Sequence, residues 1–257
     1  MAISILLYSG LALLALGSVS LVRPPSFLGI APRFHALVVF GLGLVAAAAA
    51  LLVPPPAART GARGPARIDE FVPEFQFAEF HERTVRATPE RVFRAIHEVP
   101  AGEIRLFRLL TWIRRPRLPW TTTPESILNP EAKKPILETA FRSGFVLLAE
   151  EKDREIVLGT LAARPRGSRV TLPADPAETS RRFAALSAPG YAKAAMNFRV
   201  DSRPDGSCRL TTETRVFSTD PQTARAFTLY WRFVYPGSAL LRVTWLRAIA
   251  ARAERER

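Results

Sequence analysis

Residues 194–217 read AAMNFRVDSRPDGSCRLTTETRVF. Met196, Phe198 and Val200 alternate with Asn197, Arg199 and Asp201. Beyond Pro204-Asp205-Gly206-Ser207, Leu210, Thr212, Thr214 and Val216 alternate with Arg209, Thr211, Glu213 and Arg215. A repeat of two marks a strand with two unlike faces, so the stretch predicts an antiparallel hairpin, 194–203 with 208–217. Opposed residues share a face, and the apolar sets meet only if the paired residue numbers have an even sum. A two-residue Asp-Gly loop gives an odd sum and sets Phe198 against Glu213. A three-residue loop with Gly206 in a bulge restores the match, opposing either Arg199 with Glu213 or Asp201 with Arg209.

Directly after the hairpin, Asp220 offers a cap and Pro221 a first turn for a long helix reaching Ala253. Phe227, Tyr230, Trp231, Val234, Leu241, Trp245 and Ile249 supply its apolar surface, and Pro236-Gly237 predicts a kink or a split. Upstream, 74–85 alternates as a first strand, and Thr88-Pro89 opens a helix with Val92, Phe93 and Ile96 on one face. A basic amphipathic helix is expected over 103–115, around Ile104, Phe107 and Leu110. Further helices are expected over 134–143, stopped by Gly144, and over 178–186. Segments 145–150 and 155–162 form a hairpin around Lys152-Asp153-Arg154. One packing suits this order: an α+β fold whose curved antiparallel sheet is covered on its concave side by the C-terminal helix.

The N-terminus is different in kind. Residues 2–22 and 34–53 carry no charge, and the first would make a helix about 31 Å long, matching a hydrocarbon core of about 30 Å. Pro24, Pro25 and Pro32 separate the runs and Pro54-Pro55-Pro56 ends the second. A secretory signal would need a basic residue ahead of the apolar run, and none is present. The expectation is a transmembrane hairpin over 1–56, a linker over 57–69 and a domain over 70–257. Gly10, Gly17, Gly41 and Gly43 would let the two helices approach closely.

Of 36 Lys and Arg, only Arg23 and Arg33 precede residue 57, leaving 34 basic against 23 acidic residues, a net of +11 on the domain. That surplus favours anionic partners, and beside a bilayer these are lipid headgroups. Arg59, Arg63 and Arg67 outnumber Arg23 and Arg33, which places the domain on the cytoplasmic side of an inner membrane. Nucleic acid is not an expected partner, for no aromatic–basic platform is visible. Cys208 is the single cysteine, so no internal disulfide, metal or cofactor is expected. Gly41-Leu42-Gly43-Leu44-Val45-Ala46 satisfies a dinucleotide-binding pattern but lies inside an unbroken apolar run, with no acid before Asp69.

TVRATPERVFRAI (84–96) resembles the opening strand and helix of the START-like, helix-grip (SRPBCC) superfamily. PGYAKAAMNFRVDSRPDGSCRLTTETRVFSTD (189–220) and ARAFTLYWRFVYPGSALLRVTWLRAIAARAE (224–254) resemble its closing hairpin and helix, in a membrane-anchored bacterial branch. The resemblance spans about residues 70–254. It implies an apolar cavity between sheet and helix that takes lipids, polyketides or other hydrophobic molecules.

No G-x-S-x-G, H-E-x-x-H, C-x-x-C or phosphate loop occurs, so no catalytic residue is assigned. Of the three histidines, His35, His81 and His97, only His81 is a candidate neighbour of the cavity, and Tyr191, Tyr230 and Arg199 could each donate to a ligand. Met196, Phe198, Val200, Phe227, Tyr230 and Trp231 are the expected lining, though each also suits an ordinary core. The function expected is a membrane-anchored binding or carrier domain for a lipid or other hydrophobic molecule. A cyclase- or hydrolase-like enzyme using the same cavity, and a basic interaction module without a ligand, are the alternatives.

Overall fold

The computed structural model describes residues 2–23, 33–61, 65–114, 131–168, 170, 172–173 and 175–255. In chain order its elements are α1 (Ala2–Val22), α2 (Arg33–Leu52), β1 (Arg59–Thr60), β2 (Glu74–Phe75), β3 (Phe77–Val85) and α3 (Pro89–Glu98). Then come α4 (Phe107–Arg114), α5 (Ile136–Arg142), β4 (Val146–Glu151), β5 (Glu155–Ala163), α6 (Pro176–Ala185), β6 (Ala192–Ser202), β7 (Cys208–Ser218) and α7 (Pro221–Arg255). They group into two units: Met1–Pro55 with Thr228–Pro236, and Pro56–Phe227 with Gly237–Arg257.

In the second unit, five strands form an antiparallel sheet in the order β3-β7-β6-β5-β4. Its centre is the β6–β7 hairpin, which takes the even register: Asp201 opposes Arg209 and Phe198 opposes Thr212. Arg203 N donates to Ser207 O at 2.8 Å, leaving a three-residue loop closed by Gly206 N to Arg203 O at 3.1 Å. Gly206 has φ +76°, a left-handed conformation that costs glycine nothing.

One sheet face packs against α3, α5 and the C-terminal part of α7. Phe198 meets Trp245 there with ring centroids 5.0 Å apart, among Val92, Ile96, Ile136 and Ile249. Cys208, at β7's start, is 1% exposed and donates its Sγ–H to Ala87 O at 3.1 Å; burial pushes the thiol pKa up. The other face is covered too. Ile68, Phe71 and Phe75, with Phe183 of α6, pack on Val157 and Ala195.

Polar side chains are sealed under that second cover. Arg215, 0% exposed, donates from Nε to Glu213 Oε1 at 2.8 Å and from Nη1 to Asp69 Oδ1 at 2.5 Å, with its guanidinium 4.8 Å from the Phe75 ring centroid. Asn197 donates to Glu155 Oε1 at 2.7 Å and accepts from Glu213 N at 2.8 Å. Lys193 donates to Ala184 O at 2.9 Å, against the last turn of α6, and burial lowers its pKa.

Several expectations need correction. Residues 57–69 are not merely a linker: Arg59–Thr60 pairs with β2, and Arg67–Glu70 forms a 3-10 turn with Ile68 fully buried. The first strand is broken at Gln76, whose amide donates to Ser218 O at 3.1 Å and accepts from Ser218 N at 2.7 Å. That exchange stands in for a ladder pair and switches faces, so Phe75 lies on the outer cover and Phe77 opposite. The basic helix starts late, at Phe107, because a 3-10 turn over Ala101–Glu103 and Leu106 at φ +62° precede it. Thr88 occupies the cap position of α3 but makes no capping bond to the backbone. Pro236 does not split α7, which runs as one helix of 35 residues.

Asp220 caps that helix. Its carboxylate accepts from Gln222 N (2.9 Å), Thr223 N (3.0 Å), Thr223 Oγ1 (2.6 Å) and Gly190 N (2.6 Å), which hold its pKa at about 2, below the ordinary 3.8. A folded pKa depressed this way adds stability above the unfolded value, which is lost as pH falls through about 2. The melting temperatures of wild type and Asp220→Asn should therefore differ by a constant amount above about pH 4 and converge toward about pH 2. A gap unchanged across that window would contradict the capping role.

In the first unit α1 and α2 pack antiparallel, with a Cβ added at Gly10 falling 2.6 Å from Ala47 N and one at Gly17 falling 2.7 Å from Phe40 Cα. Gly43 is equally tight against Leu14 N (2.5 Å), whereas Gly41 has nothing within 4 Å. Gly41 therefore does not mediate the approach. The second helix begins at Arg33 and ends at Leu52, one residue before the expected bounds. Pro24, Pro25 and Pro32 lie outside the described residues. Both helices are long and apolar enough to cross a membrane by length and composition. Buried positions are nearly all small (Ser4, Gly10, Gly17, Ser20, Ala36, Gly43, Ala47, Ala50), while Leu37, Leu42, Leu44 and Val45 point outward.

Candidate functional site

Past Gln76, the alternation of β3 puts Phe77, Glu79 and His81 on the face shared with Met196 and Phe198, and Ala78 and Phe80 on the other. Glu79 lies directly opposite Thr214 and His81 opposite Thr212. Glu79 is 3% exposed. Its Oε1 is 2.8 Å from His81 Nε2, while its Oε2 has no hydrogen-bond partner among the described residues. The Thr212 hydroxyl is engaged with Asn197 O at 2.7 Å. Phe77 closes one end of the row against Phe227, ring centroids 5.1 Å apart.

A buried carboxylate oxygen without a donor carries a penalty of a few kcal/mol, so native proteins rarely keep one without a use for it. Glu79 is an acceptor presented to an apolar surface. Trp245 has the complementary feature, for its Nε1–H is buried at 2% exposure and has no acceptor among the described residues. Glu79 Oε2 and Trp245 Nε1 are thus two buried polar atoms without partners among the described residues, one on β3 and one on α7. A molecule mostly apolar with a small polar group suits such a surface. The contact between Glu79 and His81 also gives a geometry in which an imidazole and a carboxylate share a proton.

Of the six expected lining residues, Met196, Phe198 and Val200 lie buried on this inner face, in the cluster with Trp245. Phe227 is buried against Phe77. Tyr230 and Trp231 fall in the other unit, where Tyr230 is 37% exposed and Trp231 packs on Tyr235 at 5.7 Å. The structure thus brings three of the six, Met196, Phe198 and Val200, into one buried cluster, with Phe227 buried apart from them. The sequence reading named neither Glu79 nor Trp245 among the polar candidates; the parity of Phe77-x-Glu79-x-His81 becomes visible only once the break at Gln76 is known. The other polar candidates have structural partners. Tyr191 Oη bonds Ser168 Oγ at 2.6 Å, Arg199 donates to Asp201 at 2.8 Å, and His97 Nε2 lies 3.2 Å from Glu150 Oε1. Among the described residues no three metal-ligating side chains cluster.

No family model matches the chain, and no curated protein matches it. Among solved structures the chain is similar to protein MLL2253 from Mesorhizobium loti, at 16% identity and TM-score 0.33, over 70% of this chain and 99% of that one. It is also similar to the hypothetical protein jhp0584 from Helicobacter pylori, at 11% identity and TM-score 0.37, over 76% and 98%. Ara h 8.0201 matches at 10% identity and TM-score 0.18, over 65% and 97%.

Proposed function

We propose that this chain is a membrane-tethered binding or carrier domain for a lipid or other hydrophobic small molecule with one hydrogen-bonding group. The observation that carries the reading is Glu79, a buried carboxylate with one oxygen bare among the described residues, on the inner face of β3 between Phe77 and His81. The domain is read as a helix-grip member of the START-like (SRPBCC) superfamily. Its support is the pairing of the domain's first long strand, β3, with its last, β7, followed at once by the long helix α7.

The tether is read as a membrane-spanning pair. In a water-soluble helix pair the large apolar side chains meet inside, whereas here glycine, alanine and serine meet inside and leucine and valine face out. Lipid is the solvent for which that arrangement is stable. Two spans leave both ends of the chain on one side, and the basic domain favours the anionic cytoplasmic leaflet.

The test is lipid extraction and native mass spectrometry of the full chain purified in detergent. Wild type should retain a hydrophobic molecule at close to one per chain, and Glu79→Leu should retain it several-fold less. An empty wild-type protein, or retention unchanged in Glu79→Leu, would overturn the reading. The Glu79–His81 contact supports a second reading, acid–base catalysis on a bound hydrophobe. That reading requires the co-purified molecule to be turned over by wild type and left intact by His81→Gln.

A further inference from the structure

Within the first unit, the segment Thr228–Pro236 of α7 runs beside the two apolar helices. Arg232, 4% exposed, donates from Nη1 to Leu51 O at 2.9 Å and from Nη2 to Val53 O. These carbonyls belong to the last turn of α2 and the residue just beyond it, groups that a helix end leaves without internal partners. Tyr8 Oη donates to Phe233 O at 2.7 Å. Tyr8 lies six residues into α1, about 9 Å along the helix axis from its start. The segment therefore packs at the end of the hairpin where α1 starts and α2 finishes.

Its outward positions are apolar. Leu229 is 45% exposed, Tyr230 37% and Phe233 44%, and the exposed position one turn on is Pro236. They recur at three- and four-residue spacing, the stripe that a surface helix in water normally fills with charged residues. The one charge in the segment, Arg232, is turned inward onto backbone carbonyls instead. Tyr230, Trp231 and Tyr235 add the amphipathic rings that concentrate at the boundary between lipid and water.

We propose that Thr228–Pro236 is a third membrane element: a lipid-facing stretch of α7 that lies in the boundary layer of the bilayer against the hairpin. Lipid is the occupant because the stripe belongs to the same unit as α1 and α2, whose end beside it also exposes the apolar Ile5, Leu6 and Leu52. In hydrocarbon every free carbonyl needs a donor, and Arg232 supplies two such bonds where α2 ends. The inference rests on the reading of the hairpin as membrane-spanning.

The experiment is spin labelling of variants of the full chain that each add one surface cysteine to the buried Cys208, in vesicles of phosphatidylcholine and phosphatidylglycerol. Labels go at Leu229→Cys and Phe233→Cys, with Leu44→Cys in α2 and Lys152→Cys in the β4–β5 turn as references; all four native residues are exposed. Collision with oxygen reports lipid, and collision with a nickel chelate reports water. Oxygen should dominate several-fold at 229 and 233, as at 44, and the chelate at 152. Chelate access at 229 and 233 with oxygen dominant at 44 would overturn the inference while leaving the hairpin reading intact. Chelate access at 44 as well would sink both. Shielding of 229 and 233 from both reagents would mean that protein covers the stripe, and would also overturn it.

Discussion

Replacing Arg215 by methionine is expected to lower the unfolding free energy by about 3–5 kcal/mol, the usual cost of breaking a buried ion pair from one side. The measurement is the urea midpoint of the full chain in detergent micelles, followed by circular dichroism. Arg215 has no exposed surface, and it bonds Glu213, which is itself 7% exposed, and Asp69. Methionine leaves the Glu213 carboxylate sealed under Ile68, Phe71 and Phe75 without its cation. Taking the partner away as well should relieve most of the damage, because an apolar pair of similar volume is close to neutral in such a place. Arg215→Met/Glu213→Leu should thus be more stable than Arg215→Met alone. A single substitution costing under about 1 kcal/mol would mean that water reaches the network and the outer cover is not closed.

Trp245→Ala is the second large effect, also expected at about 3–5 kcal/mol in the same urea experiment. Trp245 is among the largest fully buried side chains, and its ring bears on Phe198. Truncation opens a cavity between sheet and helix that the rigid α7 backbone cannot close. Trp245→Phe separates packing from polarity. It keeps most of the ring volume and removes an N–H that has no acceptor among the described residues, so it should cost far less than alanine. Equal losses for the two variants would show that the indole N–H, not the ring, holds the core.

The parts of the fold that could be read from sequence are those where local chemistry leaves one solution. The 204–206 loop is such a case, since side-chain parity demands an even register and Gly206 sits where φ is positive. The two apolar helices were equally legible from composition, and so were Gly10, Gly17 and Gly43 between them, whereas Gly41 faces away. The outer face was not. Asn197, Arg199, Glu213 and Arg215 alternate as a solvent-facing set would, and only residues 66–75, folding back over them, reverse that reading. Glu79 was obscured by Gln76, whose amide takes a ladder position and shifts the parity of everything after it. The allegiance of Thr228–Pro236 could not be read at all, because Arg232 and Leu51 are 181 residues apart in the chain.

Cys208 has a practical consequence. Its sulfur is enclosed at the start of β7, bonded to the Ala87 carbonyl and disfavoured as a thiolate by its surroundings. Alkylating reagents and mild oxidants attack the thiolate, so the buried Cys208 of the folded chain should react slowly with thiol reagents. A reporter cysteine placed anywhere on the surface would then react ahead of it, with the wild-type background left in place.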